Sequence, residues 1–154
     1  MKVKMLFSIL LGCALASAQS APSQPAWIQT SNQDAKILLD VMARFNPEAA
    51  ARAGVEGVDE NIIDLGPRVE QRRRAALVTA ESQLKEKLAA ENDPNVREDL
   101  QILIHSADQN IHGIDLDQKY EIPYYNLAET VYGGIHALLD EQIPASRHAA
   151  ALIR

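Results

Sequence analysis

Histidines are the first residues to weigh for metal or acid–base chemistry, and the chain has four: His105, His112, His136 and His148. His105 and His112 are seven residues apart, which sets them two turns apart along one helix face. Zinc-binding pairs on a helix usually sit one turn apart, as in H-E-x-x-H, and that motif occurs nowhere in the chain. The spacing predicts surface or helix-end histidines and no metal site built from this chain alone. No G-x-S-x-G elbow supports a serine hydrolase. No Gly-rich phosphate loop is present either; Gly133-Gly134 falls inside a helical pattern. Two helical glycines cost about 1 kcal/mol each against alanine, so the pair needs a reason. Close approach of another helix is the expected one, with a ligand contact as the alternative.

All four tyrosines fall in one short stretch: Tyr120, Tyr124, Tyr125 and Tyr132. Phenol rings clustered around Pro123 either line a substrate groove or pack a loop with amphipathic rings. Packing is the commoner use. As candidates for a substrate-facing surface, these four are nonetheless the best the chain offers. The 21 acidic residues are too many for spacing to single out a catalytic pair. Against 15 basic residues they set the formal charge at −6, the wrong sign for a nucleic-acid binder. The one basic run, Arg72-Arg73-Arg74, spreads over roughly 200° of a helix and cannot form a single stripe. It reads as a solvated, ion-paired surface.

The N-terminus reads as an address. Lys2 and Lys4 precede an apolar run from Met5 to Leu15, and Ala16-Ser17-Ala18 supplies the small residues a signal peptidase reads. The run is shorter than the roughly 20 apolar residues of a membrane-spanning helix. Cleavage after Ala18 is the expected processing. Lipidation at Cys13, within the lipobox-like Leu10-Leu11-Gly12-Cys13, is the alternative. Cleavage after Ala18 removes Cys13, the only cysteine, so the mature chain would hold no thiol. Such a chain suits an oxidising compartment, periplasmic or extracellular. No later apolar run is long enough to span a membrane.

The rest must supply the elements that position any site. Residues 19–30 read as a disordered, Ser/Pro/Gln-rich lead. Ser31 and Asp34 form a capping-box pattern opening a helix with Leu38, Leu39, Met42 and Phe45 on its apolar face. Asn46-Pro47 restarts a short Ala-rich helix that ends at Gly54. An irregular connection follows to Pro67. The longest helix is expected from about 67 to 90, with the stripe Arg73, Leu77, Ala80, Leu84 and Leu88. Asp93-Pro94 caps and opens the next, which carries Val96, Leu100, Leu103, Ala107 and Ile111 to about residue 111. So short a turn predicts an antiparallel helix hairpin over about 67–111. After a connection from Gly113 to Pro123, residues 126–142 form a further helix, and Pro144 opens another. That last pattern carries no stop signal up to Arg154, which predicts a polypeptide continuing beyond it. The fold class is all-α, a helical array forming the N-terminal segment of a larger helical protein.

The run Asp40 to Gly54, DVMARFNPEAAARAG, is followed by Gly57-Val58-Asp59 and then by Asp64-Leu65-Gly66-Pro67. This resembles the N-terminal part of the bacterial domain-of-unknown-function family numbered 885 (DUF885). In that family a helix leads into a phrase like PE-x-A-x-x-x-G and then an Asp-containing loop. Pro47, Glu48, Ala50 and Gly54 match the phrase. Asn95 to Leu103 and the stretch from Tyr120 to Leu139 also suit it, so the resemblance covers residues 32–154. It implies an exported, largely helical zinc-metallopeptidase-like hydrolase. The family's metal motif, resembling H-E-x-x-P-G-H-H, lies far C-terminal to this region. That motif is absent here, so the resemblance places no catalytic residue or metal ligand on this chain. Zinc would belong to the full-length protein. The implied partners are the remainder of the polypeptide and a peptide substrate. The rival expectation is a small exported helical module that holds a partner on an apolar face.

Overall fold

The computed structural model describes residues 24–122, 124, 126–138 and 144–153. The expected signal sequence, Cys13, Ala18 and Tyr125 lie outside the described residues. Among the described residues six α-helices follow one another: α1 (Ala26–Phe45), α2 (Pro47–Arg52), α3 (Val69–Ala90), α4 (Pro94–Tyr120), α5 (Leu127–Leu138) and α6 (Ala145–His148). A 3-10 turn over Ala149–Leu152 continues from α6. The described residues form no strand, and the architecture is all-α.

The antiparallel hairpin is α3 against α4. Asp93 accepts from the Asn95 N–H at 2.9 Å, and Pro94 fills the first position of α4, where a missing N–H costs nothing. Arg97 closes the other side of the turn. Its Nη1 donates to the Leu88 carbonyl at 2.8 Å and the Glu91 carbonyl at 2.7 Å, satisfying acceptors that the end of α3 leaves open. At the far end Arg74 pairs with Asp115 through two hydrogen bonds of 2.6 and 2.8 Å. Between these ends, Leu77, Ala80 and Leu84 of α3 are buried with Val96, Leu100, Ala107, Ile111 and Ile114 of α4. The spacing of each set keeps it on one helical face.

Helix α1 lies against both arms of the hairpin. Its Trp27, Ile37 and Leu38 pack on the cluster Leu84, Val96 and Leu100. Leu38 and Val41 also reach the cluster Leu77, Ile111 and Ile114. The helix begins at Ala26, with Pro25 in the capping position, so the lead expected to be disordered through residue 30 is helical from Ala26. Trp27 explains the early start, because it reaches the core only from a helical turn ahead of Ser31. Ser31 and Asp34 are accordingly not a cap. Both are buried on the inner face of α1. Lys87 of α3 sets its ammonium 2.8 Å from Asp34 Oδ1, an ion pair that neutralises a carboxylate 2% exposed.

The hairpin's second arm also outruns expectation. The connection expected from Gly113 is helix as far as Tyr120, because Ile114 is buried and holds the chain in register past the glycine. Pro47–Arg52 forms as expected. Asn46 Oδ1 accepts from Ala49 N at 3.1 Å, and Gly54 ends the turn with φ of +88°, where a Cβ would be strained. Among the described residues no helix is long and apolar enough to cross a membrane.

Leu84 sits where α1, α3 and α4 meet and is fully buried. Leu84→Ala should lower unfolding free energy by about 2–5 kcal/mol. Ile102→Ala, on the exposed side of α4, should change it by less than about 0.5 kcal/mol. Urea unfolding of the two variants checks the contrast.

Candidate functional site

The chain between α2 and α3 has no regular structure, yet it is held at several points. Glu48, in the first turn of α2, is buried, and its Oε1 accepts from the Ile63 N–H at 3.1 Å. Asp64 Oδ1 accepts from Gly66 N at 2.8 Å and from Arg72 Nη2 at 3.0 Å, while Arg72 Nη1 reaches Oδ2. The Arg72 guanidinium, and next the Gly66 N–H, hold the Asp64 carboxyl below its usual range. A Cβ on Gly66 would come within 2.9 Å of Asp64 Oδ1 and 3.1 Å of Arg72 Nη2, so a larger residue there would press on this clamp. With Ile63 and Asp64 tied inward, Ile62 and Leu65 face out, 63% and 47% exposed.

Helix α5 lies beside this loop and against α2. Asn126 starts it, with Oδ1 accepting from Glu129 N at 3.2 Å. Leu127, Val131 and Ile135 recur at helical spacing and, with Ile62 and Leu65, enclose a shallow apolar groove of about 140 Å³. Glu48 and Gly134 also line it. Glu48 is 8% exposed, and its second oxygen, Oε2, is buried with no hydrogen-bond partner among the described residues. The groove thus presents aliphatic walls, and Glu48 Oε2 is closed off from solvent. Such a surface suits an apolar group.

The two glycines of α5 differ. Gly134 is buried and lines the groove beside Glu48, whereas a Cβ on Gly133 would meet open space. The close approach expected at the pair therefore concerns Gly134 alone. Sequence reasoning did not single out Glu48 as a site residue. The available signal was its place in the phrase from Pro47 to Gly54, in which Ala50 is also fully buried.

Of the tyrosines proposed to face a substrate, Tyr120, Tyr124 and Tyr132 are 69%, 82% and 70% exposed. Loop packing, the commoner use expected of them, is not what these three do. None of them lines the groove, although Tyr132 follows Val131, which does. The Tyr132 ring lies 5.6 Å from the His136 ring, and Lys119 Nζ lies 4.9 Å from the centre of the Tyr120 ring. The arginine run is ion-paired throughout: Arg72 to Asp64, Arg73 to Glu70 and Arg74 to Asp115. Arg74 holds the Asp115 carboxyl below its usual range through their hydrogen bonds. His105, His112 and His136 are exposed on separate turns. Among the described residues no three His, Cys, Asp or Glu side chains are grouped to hold a metal ion.

Compared with protein-family models, with curated proteins and with solved structures, the chain shows no match.

The glycine pair offers a direct check on this geometry. Gly133→Ala should raise stability by about 0.5–1 kcal/mol, since it removes a helix-interior glycine into free space. Gly134→Leu should lower it by about 1–3 kcal/mol through overpacking against α2 and the pinned loop. Thermal melts showing both variants moving in the same direction would contradict the placement of α5.

Proposed function

We propose that the chain is the N-terminal helical part of an exported zinc-metallopeptidase-like hydrolase and that its α5 groove forms part of the wall along which a peptide substrate lies. The observation that carries this reading is the groove itself, with its exposed aliphatic walls of Ile62, Leu65, Leu127 and Val131. A peptide in extended form offers apolar side chains at alternate positions, which such walls would take. The resemblance to the family numbered 885 adds the reaction class. Its phrase from Pro47 to Gly54 falls on residues with definite structural work. Pro47 opens α2, Glu48 ties down the loop, Ala50 is buried without a gap, and Gly54 supplies the left-handed turn.

The described residues do not furnish a zinc shell. In this reading the metal and the water-activating carboxylate belong to the rest of the polypeptide, and residues 19–154 bind without cleaving. Tyr120, Tyr124 and Tyr132 stay candidates for substrate contact through their exposure, although they lie outside the groove lining.

A second reading is a small exported helical module that binds a partner. Its support is the core of α1, α3 and α4, which buries its apolar faces within three helices. Peptide binding with and without zinc tests the first reading. Residues 19–154 should bind leucine- or isoleucine-containing peptides with an affinity of about 1 mM. Val131→Asp should weaken binding about tenfold by placing an unpaired charge on the wall. Added zinc should produce no cleavage. Zinc-dependent cleavage by this segment would overturn its assignment as inert, and absence of peptide binding would remove the groove from the substrate path.

A further inference from the structure

Helices α5 and α6 are joined to the rest of the molecule differently from the others. Helix α5 packs on α2 and on the 3-10 turn, and that turn packs on α6, so the three form one unit. Among the described residues this unit does not pack along α1, α3 or α4, the helices that share the core. Its apolar hold is slight. On α5, Leu127 is 56% exposed, Val131 60% and Ile135 38%. Gly134 is the one described residue of α5 that is buried. A helix that buries so little apolar surface belongs to the low-stability end of a fold.

A single side chain supplies a much stronger tie. Arg147 of α6 donates from Nε and Nη2 to the two Asp59 oxygens, at 2.6 Å each, and from Nη2 to the Ala51 carbonyl at 3.2 Å. Both side chains of the pair are mostly buried, 19% and 14% exposed. A two-pronged guanidinium–carboxylate pair belongs to the strong class of hydrogen bond, and away from solvent it is little screened by salt. Asp59 lies in the chain between α2 and α3, which also carries Ile62 and Leu65. The pair therefore bridges the two walls of the groove, one supplied by that chain and the other by α5.

We propose that α5, α6 and the 3-10 turn form a flap that Arg147 latches to Asp59, and that unlatching lifts α5 away from Ile62 and Leu65 and opens the groove. Without the latch, the flap keeps the Gly134 contact and its half-exposed aliphatic side chains as its hold on α2. The core survives the opening, because Leu77, Leu84, Val96, Leu100, Ile111 and Ile114 bury themselves among α1, α3 and α4. The mechanical claim stands without the peptidase reading; the entry of a peptide through the opened groove rests on it.

Native-state amide hydrogen exchange of the full chain tests the flap. A 12-residue helix off its support is marginal in water, so opening exposes the α5 amides to exchange. In the wild type these amides should exchange at lower urea than those of α3 and α4, in a separate step. Arg147→Met should speed α5 exchange at least about tenfold, the loss expected for one hydrogen bond to a charged group, and leave α3 and α4 within about twofold. Asp59→Asn added to Arg147→Met should give less than the product of the two separate effects, because the residues act as a pair. Spin labels at the exposed positions 60 and 128, placed by Glu60→Cys and Ala128→Cys in a Cys13→Ser chain, should show an added longer distance in Arg147→Met. Should Arg147→Met fail to fold, the wild-type exchange still decides, together with Arg147→Lys, which keeps the charge, loses the two-pronged geometry and should speed α5 exchange by a smaller factor. Wild-type α5 exchanging in one step with α3 and α4, Arg147→Met speeding all helices alike or none, or unchanged label distances would overturn the latch. Failure of peptides to bind while α5 opens as expected would count against the peptidase reading and leave the flap standing.

Discussion

The apolar seam between α3 and α4 is the constraint on which the rest of the structure depends. Two helices can hold one another along their length only if each presents a continuous apolar face. Leu77, Ala80 and Leu84 on one side and Val96, Leu100, Ala107, Ile111 and Ile114 on the other meet that condition. The seam is closed at the turn by Arg97 and Asp93 and at the open end by Arg74 and Asp115. Helix α1 then has a platform to lie on. Its Leu38 touches both halves of the seam, which fixes its position along the hairpin. The buried Asp34 constrains it further, because a carboxylate taken from water must keep its partner Lys87.

The end of α1 in turn sets the position of α2 and the loop after it. Phe45 is buried where α1 stops, and Asn46 and Pro47 turn the chain into α2. From there Glu48 reaches across fifteen residues to the Ile63 N–H and governs the loop before α3. That single bond does two things: it satisfies a backbone donor in an irregular segment and leaves the second carboxylate oxygen buried without a partner among the described residues. Arg147 adds a tie from α6. It pairs bidentately with Asp59 at 2.6 Å and donates to the Ala51 carbonyl at 3.2 Å, joining the later helical segment to α2 and its following turn.

Helix type and the hairpin were legible because their signals are periodic and local. Leu77, Ala80 and Leu84 recur at helical spacing, and Asp93-Pro94 carries an unambiguous start. Boundaries were less legible where burial competes with local chemistry. Ser31 with Asp34 has the pattern of a cap, but Trp27 and the two buried polar residues draw the helix back to Ala26. Gly113 reads as a break, but the burial of Ile114 outweighs the cost of one glycine. The candidate groove was least legible of all. Glu48, in an Ala-rich helix, looks like surface charge. What distinguishes it is its burial, 8% exposed, and only the assembled fold creates that burial. The tyrosines are the converse case, a cluster conspicuous in sequence whose three described members stand exposed outside the groove.

The proposal that this chain is the front of a larger metallohydrolase has one direct test: sequencing the native gene past the codon for Arg154. An open frame that reaches an H-E-x-x-H-type motif is the expected result. A stop codon immediately after Arg154 would contradict it and leave a small helical domain whose work is binding.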